Sequence, residues 1–273
     1  MQKEEALSLY EILKKTEWFL IKLLNILLFF KTLPNYLLIK KDIHKNLLLK
    51  NKEKGKICYI LLGGLSAKNI DLKSLSEFDI ITVNHFFRTS ENDLVKPKYH
   101  IITDPNFYEK NQNITDLIQN GRKDTEFILN GRYFKNEESI KNIHLFFPVY
   151  KVTNSNIKFE INKRCSLFST VTLNAIQIAS YLGYQEINLI GFDLPPGVMP
   201  HFYRESSVEK DGFSIQKKAQ REYEYCKLYW AYTNCLHESY SLQRALSAKN
   251  IKIFNMSKDS YVRAFPFKNF EKI

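Results

Sequence analysis

The chain has 273 residues and a mass of 32.3 kDa, with 44% hydrophobic and 25% charged residues. This is enough for one large or two small folded domains, and it excludes a disordered or collagen-like chain. The four cysteines form no CxxC pair and no metal-binding spacing, which excludes a disulfide-rich scaffold and indicates a reducing compartment. The net charge of +11 suits nucleic acid, anionic lipid or a phosphorylated substrate, without choosing among them.

The amino-terminal segment is both basic and apolar. Residues 1–56 contain twelve lysines and six acidic residues, which is +6 of the total charge. Residues 18–30 form an apolar run of roughly 20 Å if helical, too short for a bilayer core that takes about 20 apolar residues. Two interpretations stay open. The helix lies in a membrane interface with its lysines towards anionic headgroups, or it packs on the main domain or on a second copy of the chain.

From residue 56 onward the pattern predicts alternating strands and helices. Short apolar runs at 57–62, 78–83, 99–103 and 186–190 are typical of strands buried on both faces. Further candidate strands are 126–130, 143–147 and 251–255. The candidate helices are 170–182, with Gly183 as its C-cap, and a long stretch over 214–249. The predicted fold is a Rossmann-like, mostly parallel α/β sheet flanked by helices. Residues 1–55 are predicted to form an amphipathic, basic helical extension, and residues 56–273 the α/β domain.

Small and polar residues follow the strands of this predicted sheet. Ligands of open parallel sheets bind outside the carboxyl ends of the strands, so the residues there are candidate ligand contacts. Each also has an ordinary structural explanation as a turn or a helix cap. The candidates are Gly63, Gly64, Ser66, Asn84, His85, Asp104, Gly191 and Asp193, together with Ser169 and Thr170 before the helix at 170–182.

The segment after Asp193 contains the candidate chemistry. Three prolines and a glycine within 195–200 exclude regular structure there. His201, Tyr203 and Arg204 then supply a general base, a hydroxyl group that binds phosphate, and a cation. His237, within the predicted long helix, is a second candidate base, or a packed or surface residue.

Motifs that would indicate other chemistry are missing from the sequence. It has no GxGxxG dinucleotide fingerprint, no P-loop, and no HxH, HExxH or DxD cluster for a metal. We therefore expect no cofactor and no metal. Zinc fingers and basic-aromatic stacking motifs are lacking too, so nucleic acid is not an expected partner.

The motifs, in this order, resemble those of bacterial CMP-sialic acid transferases. Leu62–Ser66 with Ile70-Asp71 is similar to their G-x-G-P-S-L…D opening, and Asn84-His85-Phe86 is similar to their N-x-F. Leu65 replaces the usual proline of the first motif. Further similar segments are Ser169-Thr170, Leu182–Ile187, Ile190–Asp193, Ala245-Leu246 and Ile251–Asn255, so that the resemblance covers about residues 56–260.

The resemblance implies a GT-A-like sialyltransferase fold and a metal-free, inverting transfer. A histidine, either His201 or His237, would deprotonate an acceptor hydroxyl as it attacks the anomeric carbon of a CMP-linked nonulosonic acid. Tyr203 or another tyrosine would hold the departing phosphate, while Asn84 and the Gly63-Gly64 turn would contact the nucleotide. The resemblance also implies a glycan or glycolipid acceptor of a lipopolysaccharide or capsule, a cytoplasmic location at the inner membrane through residues 1–56, and leaves a homo-oligomer open.

Two alternatives remain. His201-Phe202 matches a motif of the hydroxymethylpterin diphosphokinase-like family, which implies a phosphotransferase that uses ATP. A non-catalytic subunit of a polysaccharide assembly complex is the third hypothesis.

Overall fold

The computed structural model describes residues 2–109, 123–133, 142–152, 156–194 and 222–270. For residues 2–14, 106, 109 and 222–228 only the backbone is described. The helices are α1 (Gln2–Lys45), α2 (Glu91–Val95), α3 (Pro105–Glu109), α4 (Val171–Leu182) and α5 (Glu222–Ser247). The strands are β1 (Ile57–Leu61), β2 (Asp79–Val83), β3 (Tyr99–Ile102), β4 (Glu126–Asn130), β5 (Ile143–Lys151), β6 (Arg164–Leu167), β7 (Glu186–Ile190) and β8 (Lys252–Asn255).

All eight strands form one parallel sheet in the order β6-β5-β4-β3-β2-β1-β7-β8. The strand order therefore reverses between β1 and β7, where the chain, after six strands, returns to the free side of β1. The predicted parallel α/β fold is confirmed. Because all strands run the same way, the residues that follow them lie along one edge of the sheet.

The sheet is covered on both faces, as the nearly continuous apolar strands require. On one face, alternate residues such as Ile60, Ile101 and Leu189 pack against α4 and α5. On the other face, Phe127, Phe147 and neighbouring side chains pack under α1, while 3₁₀ turns and α2 cover the ends of β1 and β2. The caps predicted for α4 are present: the Thr170 hydroxyl accepts from the Leu173 N–H, and Gly183 adopts a left-handed conformation with φ of +96°.

Helix α1 is longer than its apolar run and docks on the edge region of the sheet. Its polar residue Asn25 exchanges two hydrogen bonds with the backbone of Lys151, at 2.8 and 3.2 Å. The Arg164 guanidinium donates to the Phe29 carbonyl at 3.2 Å and lies over the rings of Phe29 and Tyr36. Packing on the main domain thus accounts for the inner face of α1.

The outer face of α1 is also apolar, and it is exposed. We call the following side chains the outer strip: Phe19, Leu23, Ile26, Leu27, Phe30, Leu37 and Leu38. Apolar residues on both faces are typical of a helix that is covered on both sides. Within the part of the chain that is described, no helix combines the length and the apolar character needed to cross a bilayer.

A buried carboxylate joins the segment after α1 to the opposite, amino-terminal edge of the sheet. Glu53 is 2% exposed and accepts hydrogen bonds from Lys56, Lys98 and Tyr99 at 2.7 to 2.8 Å. Burial alone would raise its pKa, but the hydrogen bonds from these donors outweigh the burial and lower the pKa of Glu53 to about 2. This ion-paired cluster lies away from the edge where the candidate ligand contacts gather.

Candidate active site

A cavity of about 740 Å³ lies at the carboxyl edge of the sheet, over β2 to β6. This volume is within the usual range of small-molecule sites. Helix α1 forms one wall through Trp18, Leu20, Ile21 and Leu24, and helix α5 forms another. The cavity floor consists of the residues that follow the parallel strands, so the fold itself brings distant parts of the sequence together here.

Five of the residues predicted from the sequence line this cavity. They come from four separate elements: Asn84 follows β2, Asp104 follows β3, Ser169 and Thr170 lie between β6 and α4, and His237 is on α5. The His237 ring is exposed to the cavity rather than packed in the core.

Asn84 has two unusual features. Its φ of +51° lies in the left-handed region, which only a few per cent of non-glycine residues adopt. Its side-chain Oδ1 is buried and has no hydrogen-bond partner among the described residues, and the same holds for Oδ1 of Asn174 on α4. Both residues line the cavity. Because buried acceptors are normally paired, these two oxygens are candidate contacts for ligand donors.

The entry to α4 is bonded to α5 through Glu238. The backbone N–H and the hydroxyl of Ser169 both donate to Glu238 Oε2, at 2.8 and 2.6 Å. Burial raises the pKa of Glu238 in spite of these hydrogen bonds. The bond fixes α5 against the amino terminus of α4, so the neighbouring His237 is held at the cavity. The N–H and hydroxyl of Ser169, which the sequence predicted as donors to an anionic ligand, thus donate to the Glu238 carboxylate instead.

Four other predicted residues, which do not line the cavity, form a separate cluster at the point where the strand order reverses. The Ser66 N–H donates to Asp193 Oδ2 at 2.9 Å, the Ser66 hydroxyl also bonds this carboxylate, and Gly64 N–H donates to the Gly191 carbonyl at 3.0 Å. A Cβ on Gly64 would lie 2.3 Å from that carbonyl oxygen. These contacts join the loops after β1 and β7 to each other.

The structure therefore gives Gly64, Ser66, Gly191 and Asp193 a structural role and does not place them on the cavity. Gly63 and His85 are also outside the cavity lining. The His85 ring packs near Phe107, and its Nδ1 lies 3.2 Å from the Arg88 guanidinium. Their contact with a nucleotide stays a prediction. His201, Tyr203 and Arg204 lie outside the described residues.

Several cavity residues have no counterpart in the sequence prediction. Two are cationic, Arg132 after β4 and Lys151 at the end of β5, and they share the cavity lining with the acidic residues Glu17, Asp104 and Glu238. Further polar or aromatic residues of this kind include Asn130, Asn174, Trp230 and Asn234. No group of three or more His, Cys, Asp or Glu side chains in the described ranges is arranged to hold a metal ion.

Comparisons with known proteins give structural matches only. No protein-family model matches the chain, and no curated protein does. Among solved structures, the chain is similar to the sialyltransferase CstII from Campylobacter jejuni in complex with the substrate analogue CMP-3FNeuAc, with 18% identity over 78% of this chain and 85% of that one and a TM-score of 0.46. A complex of CstII with cytidine-5'-monophosphate gives 19% identity over 80% and 89%, also with a TM-score of 0.46.

The monofunctional α-2,3-sialyltransferase Cst-I from the same organism is similar as well, with 18% identity over 80% of this chain and 83% of that one and a TM-score of 0.46. These proteins are of the class that the sequence motifs resemble.

Proposed function

We propose that this chain is a glycosyltransferase that moves a sialic acid-like sugar from a CMP-sugar donor to a glycan acceptor. The observation that supports this best is the convergence on one cavity of Asn84, Asp104, Ser169, Thr170 and His237. These residues span more than 150 positions of the sequence, and most of them belong to the motifs that resemble sialyltransferases.

The nucleotide half of the donor is assigned to the floor of the cavity. The buried Oδ1 atoms of Asn84 and Asn174 need hydrogen-bond donors, and a nucleotide offers ribose hydroxyls and base N–H groups. Arg132 and Lys151 provide positive charge for the phosphate and for a carboxylate of the sugar. In this proposal these cations, with Tyr203 and Arg204, balance the charge of the leaving group without a metal.

His237 is the proposed general base. Its imidazole would take the proton of the acceptor hydroxyl while that oxygen forms a bond to the anomeric carbon of the donor sugar. The bond from the anomeric carbon to the phosphate oxygen breaks at the same time, and CMP leaves with the electron pair. A single displacement of this kind inverts the anomeric centre. His237 fits the role because it is on the cavity and is anchored there by the adjacent Glu238.

The outer strip of α1 is the proposed membrane contact. An exposed apolar patch of this extent marks an interaction surface. Residues 18–45 contain five lysines, all exposed, and one acidic residue, a charge that attracts anionic headgroups. The same charge would repel the matching face of a second copy. Trp18 and Leu20 also line the cavity, so a membrane-bound α1 would bring the site close to an acceptor of lipopolysaccharide or capsule type at the inner membrane.

A nucleotide screen tests the proposal. CMP at about a hundred times its Kd should raise the melting temperature by at least about 4 °C, because such a ligand stabilises the folded chain by about 2.7 kcal/mol. ATP at the same concentration should have no effect. Stabilisation by ATP alone would instead favour a pterin diphosphokinase-like phosphotransferase, and indifference to both would favour a non-catalytic subunit of polysaccharide assembly.

A further inference from the structure

His100 is a buried histidine that neither the motifs nor the proposed chemistry uses. It lies on β3 beside Thr82 of β2, its side chain is fully buried, and the rings of Phe87 and Phe127 pack edge-on against it at 5.5 and 5.7 Å. Its Nε2 lies 2.7 Å from the Asn84 carbonyl oxygen, and its Nδ1 lies 2.7 Å from the Thr82 hydroxyl.

The chemistry of these partners fixes the tautomer. A carbonyl oxygen only accepts, so Nε2 bears the proton and donates it to Asn84. Burial lowers the pKa of His100 to about 4, so the ring is neutral near pH 7 and Nδ1 is an acceptor. The Thr82 hydroxyl then donates to Nδ1. Thr82 therefore donates to His100, and His100 donates to the backbone carbonyl of Asn84, whose side chain lines the cavity.

Asn84 needs such a restraint. The left-handed conformation at φ of +51° is less favourable than an ordinary one even for asparagine, the non-glycine residue that tolerates it best, and the contact of its carbonyl with His100 can hold it. In this conformation its carbonyl points to His100 while its side chain lines the cavity with Oδ1 unpaired. Release of the carbonyl would let the backbone relax to an ordinary conformation and move the side-chain amide.

We propose that His100 is a positioning residue of the ligand site: by holding the Asn84 carbonyl, it keeps the Asn84 amide oxygen directed to a hydrogen-bond donor of the bound nucleotide. This inference rests on the proposed function for the identity of the ligand. It adds a residue on β3 that touches no ligand and acts only through Asn84.

A double-mutant cycle on CMP affinity, measured by calorimetry, tests the proposal. His100→Leu removes the donor and should weaken CMP binding about tenfold. Asn84→Gly removes the amide but tolerates positive φ, and should weaken binding to a similar extent. The double variant should bind within about twofold of Asn84→Gly alone, because His100 acts through Asn84. His100→Gln, which can still donate to the carbonyl, should restore binding to within about threefold of wild type.

The matched control is His144→Leu. His144 is also hydrogen-bonded, to Glu126 at 2.7 Å, but it lies at the start of β5 and not on the cavity, so CMP affinity should not change. If His100→Leu does not fold, Thr82→Val keeps the shape, removes the orienting hydroxyl, and should weaken binding about threefold. The proposal would be overturned if the loss of CMP affinity in the double variant equalled the product of the two single losses. Unchanged CMP affinity in Thr82→Val would overturn it too.

The crystal structures of the His100→Leu and His100→Gln proteins separate this inference from the proposed function. Asn84 should leave the left-handed region in the first and keep it in the second, whether or not CMP binds. Retention of positive φ with an unmoved amide in His100→Leu would contradict the positioning role, even if the chain proves to be a transferase. A wild-type protein that fails to bind CMP would contradict the proposed function, while the Asn84 geometry would still decide the role of His100.

Discussion

Replacement of His237 by alanine should lower the turnover of sugar transfer at least about a hundredfold. A positioned general base contributes about two to four orders of magnitude to rate, and the alanine variant leaves the acceptor hydroxyl without one. His237 is on the exposed side of α5, while the core contacts of this helix come from Cys235, Leu242 and Leu246. The fold and the CMP affinity should therefore stay within about twofold of wild type. Initial rates with CMP-sialic acid and calorimetry with CMP measure the two quantities.

The matched control is His44→Ala, which removes an exposed histidine of α1 that does not line the cavity. Its turnover should equal that of wild type. His201→Ala completes the comparison, because the sequence offers both histidines as the base. Full activity of His237→Ala together with inactivity of His201→Ala would assign the proton transfer to the loop after Asp193 and refute the role given to α5. Full activity of both variants would refute a histidine mechanism.

Three substitutions in the outer strip, Phe19→Ser, Phe30→Ser and Leu38→Ser, should together lower binding to anionic vesicles at least about a hundredfold. Burial of a large apolar side chain stabilises by about 1.5 to 3 kcal/mol, and a tenfold change in affinity corresponds to about 1.4 kcal/mol. Partial insertion of three such side chains is therefore sufficient. All three are exposed, with Leu38 at 83%, so their loss should not unfold the protein. Co-sedimentation with vesicles of phosphatidylserine and phosphatidylcholine measures the effect.

Leu94→Ser is the control for this experiment, since Leu94 is an exposed apolar residue on α2 and not on α1. Its vesicle binding should match wild type. Neutral vesicles or high salt should weaken the binding of the wild-type protein, because the lysines of α1 contribute about 1 kcal/mol each at an anionic surface. Equal binding of the triple variant would contradict the lipid contact. A concentration-dependent dimer that the triple variant abolishes would identify a second copy as the partner of the outer strip.

Most strands could be predicted because burial on both faces leaves a simple pattern. Ile57–Leu61 and Glu186–Ile190 are apolar runs followed by glycine, and both are interior strands of the sheet with a neighbour on each side. Strand β6, Arg164–Leu167, was missed: it is four residues long and contains an arginine and a serine. These polar groups are tolerated because Arg164 bonds to α1 and Ser166 bonds to Lys158, partners that local periodicity does not reveal.

The helical segment predicted over residues 1–55 is present as α1, which ends at Lys45, but its contacts could not be predicted. Asn25 interrupts the apolar run, and Lys40 and Lys41 suggest a solvated segment. In the structure Asn25 pairs with the Lys151 backbone, and both lysines continue the helix as exposed side chains. The spacing of apolar residues also does not show which face of α1 is buried, because its inner and outer faces are both apolar.

The candidate site was predicted in part. The rule that ligands meet the carboxyl ends of parallel strands selected Asn84, Asp104 and the Ser169-Thr170 pair, and all four residues line the same cavity. The same rule placed Asp193 among them, but its carboxylate is bonded to Ser66 across 127 residues. Arg132, Lys151 and Glu238 were missed, because whether a charged residue at the end of a strand or on a helix faces a cavity depends on how distant elements pack.

The most direct test of a nucleotide site at the carboxyl edge of the sheet is a crystal structure of the protein soaked with CMP. The nucleotide should lie in the cavity over β2 to β6, with a donor group on Asn84 Oδ1 and with its phosphate near Arg132 and Lys151. A nucleotide bound outside this cavity, or a cavity that stays empty at CMP concentrations that saturate the protein in solution, would contradict the proposed active site.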